Sequence, residues 1–156
     1  PRRADVAAGG RGVKIFTIGF TKKNAEQFFG KLSRDGLGKV IDTRLNNVSQ
    51  LAGFTKRDDL RFFLREIVGV SYEHIPFLAP TKDILDAYKK RGGDWALYES
   101  QFNSLIQSRD IANRLRREDL DGACLLCSEP TPHFCHRRLV AEHLQEKWGG
   151  IEIVHL

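Results

Sequence analysis

Within twelve residues, Cys127-Ser128-Glu129-Pro130-Thr131-Pro132-His133-Phe134-Cys135-His136-Arg137-Arg138, the chain collects two cysteines, two histidines, a glutamate and two arginines. Each of these types can do chemistry. A thiolate is a nucleophile or a metal ligand, a carboxylate moves protons, and a guanidinium grips a phosphate or carboxylate with a planar fork. After Cys135 the apolar residues Leu139, Val140 and Leu144 recur at helical spacing, so Cys135, His136 and Arg137 open a helix. Free backbone N–H groups and the helix dipole at that end lower a thiol's pKa and attract anions, which makes Cys135 a candidate thiolate. The plainer reading packs it under the helix as a small apolar residue. Arg137 stands where a cation opposes the dipole. Two duties account for it: pairing with Glu129 across the loop or, the one we favour, holding an anionic ligand jointly with the helix N-terminus.

Metal binding is the next chemistry to weigh. Cys127, Glu129, His133, Cys135 and His136 spell Cys-x-Glu-x3-His-x-Cys-His, which has ligand-type atoms but lacks the paired Cys-x2-Cys spacing of a strong zinc signal. On that ground the sequence predicts no metal and no cofactor. Rhodanese-like sulfur transfer is a further alternative, since a strand ending in Asp-x-Arg and a later strand ending in Cys have that layout. Its loop would cradle the cysteine with glycines and backbone N–H groups, whereas Ser128 to Phe134 has no glycine and two prolines.

These groups need elements to position them. Val13 to Ile18, ending at Gly19, is apolar and β-branched and predicts a buried first strand. Thr21 or Asn24 can cap a helix through Phe28, Phe29 and Leu32, stopped by Gly36 and Gly38. Lys39 to Ile41 is a second strand ending in Asp42-Thr43-Arg44, which completes a βαβ unit with a right-handed crossover. A polar loop from Asn46 to Phe54, containing Ser49, leads to a helix opened by Arg57-Asp58-Asp59. Val70 to Ile75 is a third strand whose Tyr72 and His74 share a face. Three helical stretches follow without a strand between them, at 83–88, 96–106 and 111–117, and predict a helical insertion covering one side of the sheet. Gly122 to Cys127 is the fourth strand, with Cys124 in the core, and Ile151 to His155 the last. The expected architecture is a single three-layer α/β domain, residues 13–156, with a largely parallel sheet. Residues 1–12 read as a flexible leader outside it.

In a parallel sheet the ends of three strands, Gly19 to Thr21, Asp42 to Arg44 and Cys127 to Glu129, open on one rim, where open α/β folds bind ligands. Asp42 and Arg44, two apart, point to one face; there Arg44 can hold a phosphate while Asp42 fixes it, or the two can form a structural ion pair.

Composition bounds the partners. The chain of 156 residues carries a formal net charge of +5, is 41% hydrophobic and 29% charged, and has no apolar stretch near the roughly 18 residues of a membrane span. A basic balance suits an anionic small molecule or nucleic acid. Three cysteines, an odd count, and the lack of a secretory signal predict free thiols in a reducing compartment, hence the cytoplasm. Oligomeric state is not written in the pattern.

The motifs also resemble a known family. Thr17-Ile18-Gly19, Asp42-Thr43-Arg44 with the downstream Ser49, the third-strand pair Tyr72 and His74, and Leu126-Cys127-Ser128-Glu129 with Cys135-His136-Arg137 are similar to the signature of the domain of unknown function 488 family (DUF488), over Ile15 to His155. Phe20, Asn47 and Ala79 depart from the residues common there. The resemblance implies the α/β fold and a shared site; it implies no particular reaction.

The expected function is an enzyme acting on a phosphate-bearing substrate, nucleotide or nucleic acid. Asp42, Cys127, Glu129 and Cys135 are the catalytic candidates, and Gly19, Thr21, Arg44, Ser49, Tyr72, His74, His136 and Arg137 the substrate-binding ones. The alternative from another class is a non-catalytic nucleic-acid or anion-binding module. A broad basic face would favour that alternative; cations confined to a narrow cleft with Glu129 favour catalysis.

Overall fold

The computed structural model describes residues 12–48 and 53–156. The expected leader up to residue 11, and Ser49, lie outside the described residues. Five strands, β1 (Val13–Gly19), β2 (Lys39–Asp42), β3 (Ser71–His74), β4 (Ala123–Cys127) and β5 (Ile151–His155), form one all-parallel sheet in the order β3-β2-β4-β1-β5. Seven α-helices connect them among the described residues: α1 (Ala25–Leu32), α2 (Arg57–Phe63), α3 (Lys82–Lys89), α4 (Trp95–Ser108), α5 (Ile111–Arg114), α6 (Arg117–Leu120) and α7 (His136–Trp148).

Local chemistry sets several boundaries. Asn24 caps α1 through a capping box, its side chain accepting from Gln27 N while the Gln27 side chain accepts from Asn24 N. Thr21 takes no part in that cap. The helix stops at Leu32, before the glycines expected to end it, and Gly36 serves the turn beyond with φ +86°. After α2 the chain winds one π-helical turn, Leu64–Val68, and Gly69 at φ 78° ends it. The last expected insertion helix is two, α5 and α6, parted at Leu115, whose backbone is extended.

Topology fixes which face each helix covers. The connections β1→β2→β3 step toward the β3 edge and β3→β4→β5 step back toward the β5 edge, so right-handed crossovers require α1 and α2 on one face and α3 to α7 on the other. Packing agrees. Phe28, Phe29, Leu32, Leu60 and Leu64 bury against Phe16, Ile18, Val40 and Leu126, while Tyr98, Phe102, Ile106, Leu139, Val140 and Leu144 bury against Ile15, Ile41 and Leu125. Successive residues along β1, β2 and β4 thus serve opposite cores, as the pleat demands. The connection leaving β4 goes to the face opposite those leaving β1 and β2, its two neighbours. Diverging loops of this kind open the crevice in which doubly wound sheets bind ligands.

Candidate functional site

At the carboxyl end of β4, against β1 and β2, lies a cavity of about 270 Å3. Cys127, Ser128 and Glu129 from the end of β4 and Cys135 and His136 from the start of α7 line one side. Arg44, Leu45 and Asn46 come from the loop after β2, and Phe20 from the loop after β1. The insertion helices close the far side with Leu85, Tyr88, Lys89 and Tyr98, joined by Pro80 and Phe134. Much of the wall is aromatic: Tyr98 lies 4.9 Å from Tyr88 and 5.0 Å from Trp95, which in turn meets Phe134 at 5.5 Å.

The pleat divides the expected residues. Asp42 aligns with Leu126 in the β2–β4 ladder, so the next pair along brings Thr43, not Asp42, beside Cys127. Asp42 faces the α1/α2 side and is fully buried. Its carboxylate accepts from Arg44 Nε (2.9 Å) and Nη2 (2.8 Å), the Arg44 backbone N–H (3.1 Å) and the Tyr72 hydroxyl (2.6 Å). Arg44 Nη2 also donates to Thr55 O at 2.7 Å, and His74 Nε2 donates to Arg44 O at 2.8 Å. Burial, reinforced by the Asp42 carboxylate, pushes the Tyr72 hydroxyl pKa up. Asp42, Tyr72 and His74 therefore anchor Arg44 at the cavity wall and do not line it. Asp42 and Arg44 form a buried ion pair, and Asp42, expected as a catalytic group at the rim, does not line the cavity.

Gly19 is also outside the cavity, and its lack of a side chain is what lets the site form. A Cβ there would run into the Glu129 carbonyl and come within 2.9 Å of Arg137 Nη1. Thr21 contributes its backbone, with its N–H donating to Ser128 O at 3.0 Å. Both residues stand against the loop after β4 and do not line the cavity.

Arg137 is fully buried. Its Nη1 donates to Glu129 O at 2.8 Å and lies 3.1 Å from Cys127 Sγ, and its Nε and Nη2 have no partner among the described residues. The less favoured duty, pairing with the Glu129 carboxylate, is not what the structure shows: that carboxylate pairs with Lys89. Nor does Arg137 reach the cavity. Burial pushes its pKa down to about 10.

Cys127 and Cys135 are joined by a disulfide. That corrects the expectation of three free thiols, which holds for the buried Cys124 alone. His136 is buried, and its Nε2 lies 2.7 Å from Thr43 O, an oxygen that can only accept. The ring proton therefore sits on Nε2. Burial pushes the His136 pKa down to about 4. The two sulfurs and a His136 ring nitrogen all lie within 4.8 Å of one another, whereas Glu129 and His133 stand outside that group.

The family model described as "Domain of unknown function DUF488" matches residues 24–144. The chain belongs to the DUF488 family. No curated protein and no solved structure matches it. The DUF488 match takes in β2, β3, β4 and the Cys135-His136-Arg137 turn but starts after Gly19 and ends before β5, so it is shorter than the resemblance read from the sequence.

Sequence reasoning missed Lys89, Tyr88 and Tyr98. A signal existed in the helical spacing of Trp95, Tyr98 and Phe102, a broad aromatic stripe on a segment read only as cover.

Proposed function

We propose that the protein is an enzyme acting on a small phosphate-bearing molecule bound in the cavity beside β4. The convergence of Lys89, Arg44 and Glu129 on one aromatic-walled cavity is the observation that carries this reading. A cavity of about 270 Å3 lies just below the usual range of ligand pockets, roughly 300–1,000 Å3, so it suits a mononucleotide fragment or small phosphoester better than a nucleic-acid strand. Phe20, Tyr88, Tyr98 and Phe134 offer faces for a planar group, and Lys89 and Arg44 offer positive charge for the anion. Glu129 is the general acid or base. Its carboxylate is tied to Lys89, and a phosphate that takes Lys89 for itself frees Glu129 at the moment the substrate arrives.

Thermal-shift and calorimetric screens with inorganic phosphate, mononucleotides, small phosphomonoesters and short oligonucleotides test this. A true ligand at 100-fold its Kd adds about 2.7 kcal/mol to stability, or roughly 5–10 °C for a domain of this size, and the shift shrinks with salt. Lys89→Ala is expected to lose most of it. Glu129→Gln keeps the binding and loses turnover of whichever ligand the wild type converts. If none of these anions stabilises the wild type, the substrate class is wrong; a preference for oligonucleotides with no turnover supports the binding-module alternative.

A further inference from the structure

We propose that, when the disulfide is reduced, Cys127, Cys135 and His136 bind one thiophilic divalent cation, zinc above all, with its fourth position open to the cavity. The sequence spacing argued against this, because Cys-x7-Cys-His is not a paired motif. Folding supplies the pairing instead: the last residue of β4 and the first residues of α7 bring the three ligand groups within 4.8 Å of one another.

Three observations support the assignment. First, the backbone sets the Cα atoms of Cys127 and Cys135 7.6 Å apart, wider than the roughly 4.4–6.8 Å usual for a disulfide. Two thiolates on one tetrahedral zinc, each about 2.3 Å from the metal, keep their sulfurs about 3.8 Å apart and so suit a wider backbone.

Second, His136 keeps one ring nitrogen free to ligate. Its Nε2–H donates to Thr43 O at 2.7 Å, which leaves the lone pair on Nδ1. Thr43 is itself fixed, its N–H donating to Leu126 O at 3.0 Å and its hydroxyl to the same oxygen at 2.8 Å. A backbone carbonyl holding the far ring nitrogen is the usual outer support of a metal-bound histidine.

Third, Arg137 Nη1 lies 3.1 Å from Cys127 Sγ, and the buried guanidinium has no carboxylate within bonding reach among the described residues. A thiolate at Cys127 would give it a negative partner. All three ligand residues line the cavity, so a three-ligand zinc presents its open position there, as catalytic zinc sites do.

Reduction comes first. Two equivalents of a small monothiol pass two electrons to the Cys127–Cys135 bond and end as their own disulfide, and two protons go to the cysteine sulfurs. Zinc then displaces those protons as the two Zn–S bonds form. The assignment stands independently of what the cavity binds.

The test uses the full chain, reduced by a thiol that is then removed anaerobically, dialysed against zinc and assayed for metal content. About one zinc per reduced chain is expected, and none held by the oxidised protein. Cobalt loaded in its place should show thiolate-to-metal charge-transfer absorption. Cys135→Ser is the decisive variant. It replaces the N-cap of α7 with a residue favoured at that position, so the fold is retained, yet whatever cobalt it holds should show a weaker, one-thiolate charge-transfer band, and it should bind zinc at least ~100-fold more weakly, since even outer-support mutations cost about 10–100-fold. His136→Gln should weaken binding similarly, while Cys124→Ala should not. A folded, reduced wild type that takes up no zinc overturns the proposal, as does full retention of zinc by Cys135→Ser.

Discussion

Replacing Asp42 with Asn removes one charge from a buried, well-satisfied ion pair. The carboxylate accepts four hydrogen bonds, three of them from Arg44 and one from Tyr72, with neither Asp42 nor Arg44 appreciably exposed. An asparagine keeps one acceptor oxygen, and its amide group points two donors at a region already crowded with donors. Arg44 is then left almost buried without a counter-charge. Breaking a buried pair from one side costs about 3–5 kcal/mol. A domain of about 150 residues moves roughly 2–4 °C per kcal/mol, so the melting temperature should fall by on the order of 10 °C. Urea unfolding followed by tryptophan fluorescence and far-UV circular dichroism gives the free energy directly, with an unchanged slope showing that the native state is intact. Tyr72→Phe, which removes the donor to Asp42 and the acceptor of Asn47 Nδ2 but no charge, should cost less, about 1.5–3 kcal/mol. If Asp42→Asn costs under about 1 kcal/mol, the pair behaves like a solvated surface bridge and the account of how Arg44 is anchored fails.

Two further outcomes follow from the geometry. Gly19→Ala should either displace the loop after β4 or destabilise the fold by about 1–3 kcal/mol from overpacking, since its Cβ would meet the Glu129 carbonyl; a variant with wild-type stability and unchanged ligand binding would show that the loop need not pack on β1. Asn24→Ala removes the cap of α1 and should cost about 1 kcal/mol in a urea titration, while a loss below a few tenths would mean that burial of Phe28, Phe29 and Leu32 alone fixes where that helix begins.

Much of the architecture was legible because it rests on local pattern. The apolar runs of β1 and β4 are those of strands buried on both faces, the alternation of strands with helices demands parallel pairing, and Asn24 marks the start of α1 by side-chain chemistry that acts within a few residues, as the apolar spacing after Cys135 marks the start of α7. The same pattern placed Cys127, Glu129, Cys135, His136 and Arg44 at one rim, and the structure keeps these five together around the cavity.

What the pattern could not supply was strand order and register. With β4 inserted between β1 and β2, and Asp42 aligned to Leu126, alternation turns Asp42, Tyr72 and His74 to the α1/α2 face while Cys127 takes the other face, the side of α4 and α7. Residues that look alike at neighbouring strand ends thus divide into a buried support and an open cavity. Lys89, which takes the Glu129 carboxylate, comes from an insertion forty residues away and reaches the site only because right-handed crossovers put that insertion over β4. Sequence proximity set which groups stand at the rim; pairing across the sheet, a contact between segments far apart in the chain, decided which of them face one another.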